Sequence, residues 1–157
     1  MRKAVLTVAA FLLFAAPPAF AGKAEDAAAL APVHQFIDAT NKGDMKAGAA
    51  SFAPGASIID EFAPYHWQGD NAFAQWSADF DAQAKTGEIT DGVITLEAPH
   101  HVLLSAPHGY AVIPAHYDFK DHGHAVHERG NFTFALTQTA QGWRIAAWAW
   151  AMTSMSK

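Results

Sequence analysis

The segment that most limits the fold is a pair of long alternating runs about one tight turn. Residues 110–120 and 125–137 flank Asp121-His122-Gly123-His124. A short Gly-containing turn between alternating runs predicts a β-hairpin. Successive strand side chains point to opposite faces. A two-residue turn at His122-Gly123 therefore pairs Asp121 with His124, Phe119 with Val126, Asp118 with His127, Tyr117 with Glu128 and His116 with Arg129. One face carries Ala115, Tyr117, Phe119, Val126, Glu128, Gly130, Phe132 and Phe134. The other carries His116, Asp118, His127, Arg129, Asn131 and Thr133. The first set belongs inside, and the second faces water or a second copy of the chain.

Before the hairpin the period is helical. Leu30, Val33, Phe36, Ile37 and Thr40 recur at three- and four-residue spacings within residues 25–41. Pro32 lies early in that run, and the regular helix is expected to start there. Gly43 suits the position just past the helix end, and Asp44 suits the N-cap of a short helix over residues 45–52. Pro54-Gly55 ends that helix. Asp70 is expected to cap a third helix, with Phe73, Trp76 and Phe80 on one face and Gly87 closing it. Beyond Gly87 the pattern alternates. Residues 93–96 and 102–104 read as strands around a turn at Pro99, and residues 143–152 form the last strand after Gln141-Gly142. Helices followed by an antiparallel meander make an α+β domain.

The first 21 residues are set apart. Arg2 and Lys3 precede an apolar run over residues 4–16, Pro17-Pro18 breaks it, and Ala19-Phe20-Ala21 fits a cleavage site. That run is too short to span roughly 30 Å of hydrocarbon. We expect a signal peptide over residues 1–21, one domain over residues 22–157, and a periplasmic or secreted protein. Losing Arg2 and Lys3 leaves 8 basic side chains against 15 acidic, moving the formal charge from −5 to −7. No basic stretch suits nucleic acid or an anionic membrane surface. There is no cysteine, so the core alone must hold the fold, and its 11 Phe and 5 Trp supply large buried area.

The stretch ASIIDEFAPYHWQG, residues 56–69, carries the chemistry. Ile58-Ile59 delivers Asp60 and Glu61 into an aromatic turn holding Pro64, Tyr65 and Trp67. An acid led out of an apolar strand into aromatic company is either a desolvated working group or an acceptor of backbone N–H bonds. Glu61 points the other way by alternation and is expected in water, as is His66.

Three motifs, FIDATNKGD, ASIIDEF…WQG and QGWRIAAWAW, together resemble the nuclear-transport-factor-2-like superfamily, which includes SnoaL-like proteins and ketosteroid isomerase. The resemblance covers essentially the whole chain after residue 21. It implies a cone: three N-terminal helices packed into a strongly curved antiparallel sheet, with a pocket in the concavity and, in many members, a dimer. It places the proton-shuttling aspartate of ketosteroid isomerase on Asp60. The two oxyanion donors of that enzyme fall on Phe36 and Phe134, which donate no hydrogen bond. The resemblance thus keeps a base and lacks the oxyanion stabiliser. It also places Trp148, Trp150 and Met152 on the inner face of the last strand, with Ala147 and Ala149 outside.

The candidate catalytic groups are therefore Asp60 as base, and Glu128. The candidate lining is Phe36, Trp67, Trp76, Tyr117, Phe119, Phe132, Phe134, Trp148 and Trp150, a set suited to a small, mostly apolar molecule. Such a domain needs no cofactor for isomerase, cyclase or dehydratase-like acid–base chemistry. The alternative is a filled cone, with these aromatics as plain core, that binds or assembles through its convex sheet face and can form a homodimer there. His116, His122, His124 and His127 gather with Asp118 around the hairpin, and such residues bind zinc, copper or nickel. No HExxH spacing is present. The pattern fits an exposed turn and a surface Asp118–His127 cross-strand pair, and no metal is expected.

Overall fold

The computed structural model describes residues 22–157; the expected leader, residues 1–21, lies outside the described residues. Three helices, α1 (Lys23–Lys42), α2 (Met45–Ala49) and α3 (Ala72–Thr86), pack on one curved sheet. Its strands are β1 (Phe52–Ile59), β2 (His66–Gln68), β3 (Ile89–Leu96), β4 (His101–Ser105), β5 (His108–Asp121), β6 (His124–Thr139) and β7 (Gly142–Ser156). No helix among the described residues is long and apolar enough to cross a membrane.

The face of α1 with Leu30, Val33, Phe36 and Ile37 is buried against the sheet. The helix runs through Pro32 rather than starting there, and Pro32 is itself buried. Gly43 ends it in the left-handed region at φ 69°, where a residue without Cβ is least strained. Asp44 caps α2, its Oδ1 accepting the Ala47 N–H at 3.0 Å. α2 stops at Ala49, sooner than expected, because Phe52 already pairs with Ile145 of β7. Asp70 is not the cap of α3. Its Oδ1 accepts the Gly55 N–H at 2.8 Å, tying the start of α3 to β1, and Asn71 holds the cap position without a side-chain bond.

The sheet order is β2-β1-β7-β6-β5-β3, with β4 also on β5. The β5–β6 register is the one alternation predicts, from Asp121 opposite His124 through Tyr117 opposite Glu128 to His108 opposite Thr137. Two pairings differ from a simple meander. β1 runs parallel to β7, so the sheet is mixed; parallel neighbours need a long connection, and most of the domain lies between these two. β3 and β4 form no hairpin about Pro99. Both lie along β5, and the Glu97 and His100 N–H groups donate to Pro114 and Val112 carbonyls at 2.8 and 2.9 Å, keeping the chain on that edge. Asn41, at the end of α1, holds β3 in turn: its side chain exchanges two 2.8 Å bonds with the Ile94 backbone.

The core centres on Phe36, 0% exposed, which meets Phe52, Phe73 and Trp76 edge-on and Trp148 at 5.7 Å. The β6–β7 register slips between Arg129 and Gly130, placing Met155 opposite Glu128; Met152, expected inside, pairs with Gly130 and is 45% exposed. Gly130 is required by packing: a Cβ there would lie 2.5 Å from the Trp150 ring and 2.6 Å from the Ala151 carbonyl oxygen.

Candidate functional site

A cavity of about 200 Å³ lies between the helices and the concave sheet face. Asp60 reaches it because alternation along β1 buries Ile58 and turns Ile59 outward, 51% exposed. The strand ends there. The Asp60 N–H donates to the Tyr65 carbonyl at 3.2 Å and the Tyr65 N–H to that of Phe62 at 2.7 Å, closing a tight loop. Asp60 Oδ2 accepts the Trp76 indole N–H and Oδ1 the Glu61 backbone N–H, both at 2.8 Å. Burial pushes the Asp60 carboxyl up to about 6. The two N–H donors oppose that rise, and the neighbouring Glu61 charge adds to it. Desolvation thus outweighs hydrogen bonding, and the group titrates where a general base is effective.

Glu128 enters from β6, 3% exposed, with Oε1 accepting the Trp150 N–H at 2.6 Å. Burial raises its pKa, the Trp150 and Glu61 contacts offset part of the rise, and the Asp60 charge adds to it. Glu61 is not turned away from the cavity as expected. Alternation stops with β1 at Ile59, and the loop brings Glu61 to the cavity wall beside Glu128. Burial, then the Glu128 charge and contact, push Glu61 up to about 7. Two carboxyls in such contact titrate as a pair, and both are pushed toward their protonated, proton-donating forms. Tyr117, opposite Glu128, stacks on Phe119 with ring centroids 4.7 Å apart. Burial, then the Glu128 and Asp60 charges, push it up to about 12, so its O–H stays a donor. Gly92 makes room for it: a Cβ there would meet the Tyr117 hydroxyl at 2.7 Å.

Of the expected lining, Phe36, Trp76, Tyr117, Phe119, Phe132, Trp148 and Trp150 share the cavity with Asp60 and Glu128. Trp67 and Phe134 do not. Trp67 packs on Phe62 at 5.0 Å, and its N–H donates to Asp79 at 2.8 Å, fastening β2 to α3. Phe134 is stacked behind Phe132 at 5.5 Å. Sequence reasoning missed Glu61, Phe80 and Met155. Phe80, one turn beyond Trp76 and stacked on it at 5.4 Å, carried a legible signal. The Trp148 N–H is buried without a hydrogen-bond partner among the described residues.

The histidines lie elsewhere. His127 Nδ1 meets Asp118 Oδ1 across the strands and His122 Nδ1 meets Asp121 Oδ1, both at 2.7 Å, while His116 pairs with Glu97. Among the described residues no three His, Asp or Glu side chains are placed to hold a metal ion.

The pattern of the SnoaL-like domain matches residues 30–153. No curated protein matches the chain. Among solved structures, a ketosteroid isomerase-like protein from Erwinia carotovora atroseptica superposes with a TM-score of 0.68 at 17% identity, covering 85% of this chain and 99% of that one. A nuclear-transport-factor-2-like superfamily protein from Salmonella enterica serovar Typhimurium gives 0.64 at 19% identity, covering 78% and 87%. A hexachlorocyclohexane dehydrochlorinase gives 0.68 at 9% identity, covering 85% and 88%. At these identities the likeness is one of fold.

Proposed function

The chain belongs to the SnoaL-like domain family, and on that premise we propose that it binds a small, largely apolar molecule in the cavity and moves a proton on it, with Asp60 as base. The observation that carries this reading is an Asp60 carboxyl with a raised pKa, set beside open volume in an aromatic wall. Proton donation, which Phe36 and Phe134 cannot supply, falls to the Tyr117 O–H and the Glu61–Glu128 pair. Base and acid in one aromatic-walled site suit isomerisation, cyclisation or elimination of water or another leaving group, without a cofactor. The open volume beside Asp60 argues against a filled cone acting only through its convex face. The basic start, apolar run and Ala19-Phe20-Ala21 support export as part of this reading.

The test is ring opening of 5-nitrobenzisoxazole, a compact aromatic probe for a desolvated base. Its C–H proton passes to the base as the N–O bond breaks, releasing a coloured cyanophenolate. The expected rate rises with pH through about 6 and falls at least about 100-fold in Asp60→Asn. A variant as fast as the natural chain would overturn the proposal.

A further inference from the structure

The charges of the cavity wall are all of one sign. Asp60, Glu61 and Glu128 line it with Tyr117, and among the described residues no Lys, Arg or His does. The indole N–H donors of Trp76 and Trp150 are already engaged by Asp60 and Glu128, and that of Trp148 is enclosed. The Thr40 hydroxyl is engaged too, donating to the Phe36 carbonyl at 2.9 Å. The site therefore offers carboxylate oxygens in surplus and few donors. Around them stand the aromatic rings of Phe36, Trp76, Phe80, Tyr117, Phe132 and Trp150. Aromatic faces attract cations, most strongly where water is excluded, and buried carboxylates without a counterion need either protons or a positive guest.

We infer that the natural ligand of this cavity is a small organic cation, an ammonium group on a body of about one ring, held between the aromatic faces and the carboxylates of Asp60, Glu61 and Glu128. The inference rests on the reading of the cavity as a ligand site and deepens it. The size follows from the volume: a cavity of about 150 Å³ takes a benzene ring, and this one holds about 200 Å³. Anions are rejected by three acids with no basic residue among the lining. Among the described residues a neutral carbonyl compound finds only Tyr117, Gln83 and a protonated carboxyl as free donors.

The experiment compares benzylammonium with benzyl alcohol, its near-isosteric neutral counterpart, by tryptophan fluorescence and calorimetry at pH 5 and pH 8. Benzylammonium should bind about tenfold more tightly than the alcohol at pH 8. The preference should shrink at pH 5 as Asp60 and Glu61 take up protons, and should fall in Glu61→Gln and in Glu128→Gln. In Glu128→Gln the new amide oxygen can still accept the Trp150 N–H, and Glu61 sits in an exposed loop, so both variants should fold. Glu25→Gln, on the exposed start of α1, should leave the preference unchanged. Equal affinity for the two probes at pH 8 would overturn the cation and leave the cavity reading standing. A preference that persists in both Gln variants would overturn it as general surface attraction. No binding of either probe would overturn this inference together with the cavity reading.

Discussion

Asp60 and Asp121 are the same side chain in opposite circumstances. Asp60 lies in the cavity with two N–H donors but no cation among the described residues, and its pKa rises to about 6. Asp121 lies at the tip of the β5–β6 hairpin, where the Lys157 ammonium bonds it at 2.7 Å and His122 bonds its other oxygen, also at 2.7 Å. Its pKa falls to about 2, through Lys157 first and His122 second. Single hydrogen bonds do not reverse desolvation in the cavity, whereas a cation in water-accessible company easily pulls a carboxyl down. Of these two acids, the one paired with a cation lies outside and the one without a cation among the described residues lies inside, an arrangement that costs stability where it serves the site.

That contrast predicts the largest effect at Asp60. Its folded value, about 6, lies above the ordinary 3.8. The folded state therefore holds the proton more tightly, and this contribution to stability, full below 3.8, is lost as pH rises through about 6. Asp60→Asn removes the loss. It should be more stable than the natural chain at pH 7–8 by at most about 3 kcal/mol, with the difference vanishing below about pH 4 in urea titrations. Destabilisation at neutral pH that closes in acid would instead make Asp60 a structural acceptor.

A smaller contrast separates cavity from core. Ala84 lines the cavity, whereas Ala115 is 2% exposed and lies in the packed interior. Ala115→Phe should lose roughly 1–3 kcal/mol by overpacking. Ala84→Trp should lose less than about 1 kcal/mol, because its ring enters open volume, while uptake of an environment-sensitive dye is blocked. Equal losses, with no dye bound by the natural chain, would show a filled cone.

The smallest effect is at Asp121. Its lowered pKa means stability present above 3.8 and lost as pH falls through about 2. The pair is exposed, so Asp121→Asn should lower the melting temperature only slightly, and high salt should erase the difference. A large, salt-insensitive loss would contradict the contrast.

The legible parts of this molecule were those governed by local period. Alternation about His122-Gly123 set the hairpin register and put Glu128 beside Tyr117. Ile58-Ile59 pointed Asp60 inward. The misreadings share a cause: period assigns a face, not a depth or an endpoint. Phe134 is on the concave face yet packs beside Phe132 outside the cavity, and Trp67 is inside but bonded to Asp79 away from the cavity. Glu61 was missed because β1 ends one residue before the acid pair, and the loop closed by Asp60 and Tyr65 cancels alternation. The parallel β1–β7 pairing joins strands far apart in sequence and leaves no local mark.

The most direct measurement is a carbon-13 NMR titration of the side-chain carboxyls, with Asp60 and Asp121 assigned by their Asn variants. Asp60 should titrate near 6 and Asp121 near 2, on either side of the ordinary 3.8. An Asp60 that titrates at or below 3.8 would contradict it, because hydrogen bonding would then outweigh desolvation and the cavity would hold no base.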